Sequence, residues 1–294
     1  MTLLVLGGTG MLGQALLREA RGRGLTALGA ARDGADLSCD LIDATALERL
    51  FEACGPKIVI NAAALTDLNR CEAEPGAAYA VNGRAVSVTA EQCRRVGARL
   101  VQVSTDHYFT GDGRALHDER SPVCLLNEYA RTKYVGEALA STLPGSLVLR
   151  TNITGWRGWA GRPTFAEWLF DSVEQDAAMT LFDDYFTSTL DCASFARACL
   201  DLLDAGASGL LNLASSRASS KLEFAEALAR RLGKVLTRCT AGSVRDLRPR
   251  RAESLGLDVR AAETILGYRF PGLDQVIDAL VTEKQTKCDT PLHS

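Results

Sequence analysis

The chain has 294 residues, room for one large or two modest domains at roughly 100–200 residues each, and too many to depend on disulfide staples. Hydrophobic residues make up 47% and charged residues 23%, which excludes a disordered or low-complexity chain. The net charge of -3, from 33 basic and 36 acidic residues, offers no general attraction to a polyanion, so neither nucleic acid nor an acidic membrane is an expected partner.

The nine cysteines include no CxxC or other compact ligand spacing, and with only His107, His117 and His293 as histidines no metal site is expected. No basic segment leads into an apolar one at the N-terminus, and no stretch approaches the ~18 apolar residues that span a bilayer. A cytoplasmic protein with reduced thiols is the expectation.

The first strand is TLLVL at Thr2–Leu6, running straight into GGTGMLG at Gly7–Gly13. Met11, Leu12, Ala15, Leu16 and Ala20 then recur at helical spacing, until Gly22 and Gly24 stop the helix before a second apolar strand, LTALGAA. The alternation continues with a helix around Ala44–Ala53, a strand KIVINAA from Lys57, a helix within Pro75–Gly97 and a strand RLVQVS ending at Ser104. Ala78, Val81, Ala85, Val88 and Val96 mark the expected apolar face of the helix before that strand. A helix over Glu128–Ser141 and a strand SLVLRT from Ser146 complete about six strands. Such alternation predicts an α/β fold with a parallel, doubly wound sheet.

Periodicity weakens beyond that point. Gly155–Arg162 reads as a loop, Pro163 stands near a helix start, and a smaller mixed domain is expected. The predicted division is 1–155 for a dinucleotide-binding Rossmann domain and 156–294 for a substrate domain, with segments around 178–214 returning to the sheet. A helix within Asp191–Leu203, a strand from Gly209, a helix KLEFAEALARRLG and a last helix near Leu273–Thr282 follow. The polar tail from Lys284 to Ser294 is expected to fray.

Gly7, Gly10 and Gly13 form GxxGxxG between a strand and a helix, where small residues let the backbone approach a pyrophosphate at the positive end of the helix. The end of the second strand reads Ala31-Arg32-Asp33. Arg32 favours the 2′-phosphate of NADPH, whereas Asp33 could serve NADH, so NADPH is preferred with NADH open. Asp40 and Leu41 lie beyond the next strand, where they can cover the adenine. Asn61-Ala62-Ala63-Ala64 ends a strand and leaves room for the nicotinamide side.

Tyr129-Ala-Arg-Thr-Lys133 places a phenol and an ammonium one helical turn apart on one face. The ammonium is expected to lower the phenol's pKa from ~10 and let it exchange a proton near neutrality. Thr105, within Ser104-Thr105-Asp106 at the end of a strand, can hydrogen-bond a substrate carbonyl and turn it towards Tyr129.

With these residues in view, the sequence resembles the extended short-chain dehydrogenase/reductases, specifically the dTDP-4-dehydrorhamnose reductase family. The resemblance rests on GGTGMLGQAL, NAAALTDLNRCE, AVN at Ala80–Asn82, VSTDHYFTGDG, DERSP, NEYARTKYVGE and LRTNITGW, in family order over roughly the first 160 residues. It implies reduction of a nucleotide-linked 4-keto-6-deoxy sugar by NADPH or NADH. Carried onto this chain, it implies a triad of Thr105, Tyr129 and Lys133, and cofactor contacts at Gly7, Gly10, Met11, Leu12, Asp40, Leu41, Ala62, Ala63 and Thr66. The partner it implies is a nucleotide sugar, with a homodimer open as the assembly.

The chain also departs from that family. His107-Tyr108-Phe109 stands where Tyr-Val-Phe is usual, and Ile153 replaces a tryptophan, with Trp156 and Trp159 following as residues that either stack on substrate or pack. Asp183–Thr189 lacks the usual Pro-Thr, and Arg248, Arg250 and Arg251 compete for the place of a diphosphate-binding arginine. Asp106, His107, Trp156 and Arg251 are therefore the candidate substrate contacts. The histidine at 107, where the 4,6-dehydratases tend to have glutamate, disfavours that reaction. An epimerase, another keto-sugar reductase, or a non-catalytic NADP-bound regulatory subunit remain the alternatives.

Overall fold

The computed structural model describes residues 2–289. Seven strands form its main sheet: β1 (Thr2–Leu6), β2 (Thr26–Ala31), β3 (Leu37–Ser38), β4 (Ile58–Asn61), β5 (Arg99–Val103), β6 (Leu147–Arg150) and β7 (Gly209–Asn212). They lie in the order β7-β6-β5-β4-β1-β2-β3 with every pairing parallel. This is the doubly wound sheet predicted from the alternation, one strand larger. The chain leaves the centre in both directions at β1 and β4, and that reversal opens a crevice at the carboxyl ends of the strands.

The strands are apolar throughout because both faces are covered. On β1, Leu3 and Val5 point into one core cluster and Leu4 and Leu6 into another, as the two-residue period of a strand requires. Helices α1 (Met11–Gly22) and α5 (Cys192–Asp204) cover the first face through Leu16 and Phe195. On the second face, α2 (Ala44–Cys54) and α3 (Ala85–Val96) contribute Leu47, Phe51, Val86, Ala90 and Cys93. The first cluster also takes in Phe170, Phe224 and Leu280, so one apolar core crosses position 155.

Two expectations are corrected. Between Pro75–Tyr79 and α3, residues Ala80–Arg84 form a π-helical turn. Ala78 and Ala85 are buried as predicted, but the extra residue rotates the apolar stripe, which continues through Val86, Thr89, Ala90 and Cys93, while the predicted Val81, Val88 and Val96 are only half-buried. The last helix extends from Leu273 to Asp289, and Lys284, expected to fray, donates from Nζ to Glu174 Oε1 at 2.5 Å. The end of the predicted tail, with His293, lies outside the described residues.

From the span 178–214, Gly209–Asn212 joins the main sheet, whereas Met179–Phe182 pairs with Cys239–Gly242. Phe186–Thr187 joins a small mixed sheet with Ser219–Ser220, Ser254–Leu257 and Leu116–His117. Among the described residues no helix is long and apolar enough to cross a membrane, and no group of three His, Cys, Asp or Glu side chains could hold a metal.

The π-turn seats the helix α4 (Glu128–Ala140). A Cβ added at Gly136 would stand 2.1 Å from the Asn82 carbonyl oxygen, so the two segments touch through backbone. Gly136→Ala is expected to lower stability by about 1–3 kcal/mol, the usual cost of overpacking, in urea unfolding. An unchanged midpoint would show that the segments part without cost.

Candidate active site

The site begins where β1 meets α1. Gly7 has φ +82°, and a Cβ there would lie 2.9 Å from Ala63 N, while one on Gly13 would lie 2.1 Å from Gly7 O. Gly8 has an equally close neighbour, with its Cβ position 2.8 Å from Gly29 Cα; it completes the cradle and was not among the predicted site residues. Helix α1 has no side-chain cap and no acidic residue in its first turn, in contrast to α2, α4 and α5, capped by Asp43, Asn127 and Asp191. Its first amide donors are left for an anion at the positive end of the helix.

Around this mouth, Met11, Ala62 and Ala63 are half-buried, Leu12 is buried in the core, and Arg32, Asp40 and Thr66 are exposed. Leu41 leans on the second apolar cluster. Asn61 is corrected: it is buried, its amide donates to Gln102 Oε1 at 2.9 Å and its carbonyl oxygen accepts from Ala63 N at 3.2 Å. It shapes the turn after β4, with both ends of its amide engaged within the protein.

β5 delivers Ser104-Thr105-Asp106 to the same carboxyl edge, all three buried. Helix α4 brings Tyr129 and Lys133 there, with Asn127 as its cap accepting from Ala130 N at 2.9 Å. Burial raises the Tyr129 phenol well above its ordinary value, opposed by hydrogen bonding to Thr105. The expected lowering of this phenol by Lys133 is therefore corrected. Lys133 donates from Nζ to the Val103 carbonyl at 2.8 Å, and burial brings its own pKa down to about 8, with Glu137 opposing.

The other wall is built from residues that the sequence reading missed. Tyr185 OH lies 3.4 Å from His107 Nε2, Asn152 donates from Nδ2 to Asp106 Oδ2 at 2.8 Å, and Lys221 donates to Thr187 Oγ1 at 3.4 Å. The one signal for Tyr185 and Thr187 was that their segment departs from the family pattern; Lys221 gave none. The His107 ring meets the Tyr129 ring edge-on, with centroids 5.3 Å apart. Burial, with Arg251 and Lys221 nearby, pushes the His107 pKa down to about 4, so the imidazole is neutral at working pH.

Of the three competing arginines, Arg251 is the one whose charge reaches His107 and Tyr185, and its buried Nε has no hydrogen-bond partner. Two predicted substrate contacts are corrected. Asp106 is 1% exposed and turned to Asn152, so it braces the site from behind. Trp156 packs against Phe170 and donates from Nε1 to Leu280 O at 3.3 Å, so it belongs to the core. Trp159 is exposed with the Arg157 guanidinium over its ring.

Comparison with known proteins agrees with this geometry. The family model for the RmlD substrate binding domain matches residues 1–285. The chain belongs to that family, within the extended short-chain dehydrogenase/reductases. A probable low-salt glycan biosynthesis reductase of Haloferax volcanii is 31% identical over 94% of this chain and 96% of its own. A dTDP-4-dehydrorhamnose reductase of Streptomyces griseus is 35% identical over 62% of this chain and 59% of its own. Among solved structures, the dTDP-4-dehydrorhamnose reductase of Bacillus anthracis in complex with NADP superposes with a TM-score of 0.85 at 20% identity, over 96% of this chain and 98% of that one.

In this member of the family the site is braced by a buried ion pair. Arg150, from β6, donates through Nη2 and Nε to Glu137 Oε1 and Oε2 at 2.5 and 3.1 Å, and the side chains are 4% and 8% exposed. Ser104 Oγ donates to the same Glu137 Oε2 at 2.9 Å. Arg150→Met strands the carboxylate in the interior and is expected to cost about 3–5 kcal/mol in chemical denaturation. A loss below about 1 kcal/mol, the range of exposed pairs, would show that water reaches Glu137.

Proposed function

We propose that this chain, an NAD(P)H-dependent oxidoreductase of the RmlD family, reduces a nucleotide-linked 4-keto-6-deoxy sugar, with NADPH preferred and NADH the alternative. One observation carries the reading: an uncapped, glycine-walled helix N-terminus and the Thr105–Tyr129 pair belong to the same carboxyl edge of the sheet. Names of relatives that reduce dTDP-4-dehydrorhamnose or serve glycan biosynthesis add to it.

The residues present fit the cofactor, because the turn at Gly7, Gly8 and Gly13 is packed so closely that it carries no side chain, and the amides of α1 have no side-chain cap. When bound, the cofactor supplies the hydride that the ketone carbon takes up. Tyr129, kept protonated by burial, gives its proton to the alkoxide oxygen, so the ketone becomes a secondary alcohol and the tyrosine a phenolate. Lys133, one turn along α4 and bonded to the Val103 carbonyl, has further N–H donors for the nicotinamide ribose. Thr105 holds the phenol and turns to the carbonyl when substrate enters. Arg251, with its unpaired Nε, holds the diphosphate. Residues 1–155 thus carry the cofactor and the reacting groups, and 156–294 supply Tyr185, Thr187 and Arg251 to the substrate wall.

The test follows NADPH absorbance with dTDP-4-keto-6-deoxy sugars. Wild type turns over, Tyr129→Phe loses about 100- to 10,000-fold in rate as expected for a lost proton donor, and His107→Gln loses no more than about tenfold. Absent turnover in wild type, or a His107 variant as dead as the Tyr129 variant, would sink the reading, the second outcome in favour of an epimerase-like role for the imidazole. Arg32→Ala is expected to raise KM for NADPH by about tenfold, one phosphate contact, and to leave KM for NADH where it was. Equal effects on both cofactors would remove Arg32 from the 2′-phosphate.

A further inference from the structure

Lys221 opens the helix Lys221–Arg231 behind its Ser220 cap, and its ammonium turns into the site. It lies over the rings of Phe165 and Tyr185 at 4.7 and 5.6 Å and donates to Thr187 Oγ1 at 3.4 Å. An ammonium only donates. Thr187 must therefore accept there and turn its own hydrogen to Thr189 Oγ1, 2.8 Å away. Thr189 in turn donates to Asn152 Oδ1 at 2.8 Å, and Asn152 Nδ2 donates to Asp106 Oδ2 at 2.8 Å. Asp106 Oδ1 accepts from Thr105 Oγ1 at 3.4 Å, while the Thr105 oxygen accepts from His107 N at 3.3 Å and faces the Tyr129 phenol.

The chain contains two hydroxyls whose donor and acceptor roles are free in isolation, while the Asn152 amide accepts at Oδ1 and donates at Nδ2. A donor-only ammonium at one end and an acceptor carboxylate at the other order them in one direction. We propose that Lys221 is a positioning residue of the reduction: with Thr187, Thr189 and Asn152 ordered as donors toward it, the Asp106 carboxylate is held as an acceptor, and Thr105 therefore turns its hydrogen to Asp106 and its oxygen to the Tyr129 phenol.

The proposal rests on the reductase reading for its kinetic consequence, though the ordering itself needs no substrate. The charged and titratable groups facing this chain are Asp106, His107, whose Nε2 lies 3.9 Å from Asp106 Oδ1, Arg251, Tyr185 and Tyr129. Burial pushes the Asp106 pKa up to about 7, opposed by Asn152, by the charge of Lys221 and by Thr105. Without that charge Asp106 takes up a proton more readily. A protonated Asp106 can donate to Thr105 and reverse it.

The experiment uses the full chain carrying Lys221→Met, Lys221→Arg or Thr187→Val, with circular dichroism and NADPH affinity as controls for the fold. Lys221→Met and Thr187→Val are expected to lower kcat by about tenfold, the scale of a lost orienting contact, with NADPH affinity unchanged, and Lys221→Arg to restore most of the rate. Lys221→Met combined with Asp106→Asn is expected to be no worse than the poorer single variant, because both cut one chain. Multiplying losses, or a Lys221→Met rate equal to wild type, would overturn the proposal. In the substrate-free protein, carbon-13 NMR of the Asp106 carboxyl is expected to show its titration midpoint rising by about one pH unit in Lys221→Met. An unmoved midpoint overturns the coupling even if no keto sugar is turned over, whereas a wild type without turnover overturns the reductase reading alone.

Discussion

The arrangement hangs on the buried pair between Glu137 and Arg150. Glu137 lies one turn beyond Lys133 and two beyond Tyr129 on α4, and Arg150 ends β6. Ser104, which also bonds Glu137, precedes Thr105 at the end of β5. One carboxylate therefore ties together the helix that carries the phenol, the strand that carries the hydroxyl and the strand beside it. Because both charges are out of water, each is stable only in the other's presence, and a shift of α4 along the sheet would expose neither and satisfy neither. This is how a helix held otherwise by small residues such as Gly136 keeps Tyr129 facing Thr105.

Around that anchor the chain distributes its polar groups unevenly. Most long helices spend a side chain on their first amides, as Asp43, Asn127 and Asp191 do, whereas α1 leaves its own open. On the substrate side, polar atoms lacking partners gather at His107 Nδ1 and Arg251 Nε. A chain with a net charge of -3 thus offers a few placed polar groups at this wall and no basic field.

Much of this was legible in the residues. Strand-glycine-helix order located the closely packed turn between β1 and α1, and the one-turn spacing of Tyr129 and Lys133 placed both on one face. The errors have definite causes. Helical spacing assumes a constant period, so the π-turn at Ala80–Arg84 moved the buried stripe of α3 by one residue. A tryptophan in a loop has no period at all, and Trp156 went to the core because Phe170 and Leu280 meet it there. Asn61 and Asp106 stand at strand ends where a ligand could reach them, yet their side chains are consumed by Gln102 and Asn152, partners 41 and 46 positions away.

By itself the sequence determined what depends on neighbours within a few residues: strand and helix order, the glycine turn between β1 and α1, and the phenol and ammonium on one helix face. Only the tertiary structure decided the direction of the phenol's pKa, which of three arginines has its charge at His107 and Tyr185, and the approach of Lys221 to Thr187. The physical reason is that desolvation and hydrogen-bond direction are set by groups distant in the chain. Lys221 reaches Thr187 across 34 positions, and length, composition and a charge of -3 contain no record of that meeting.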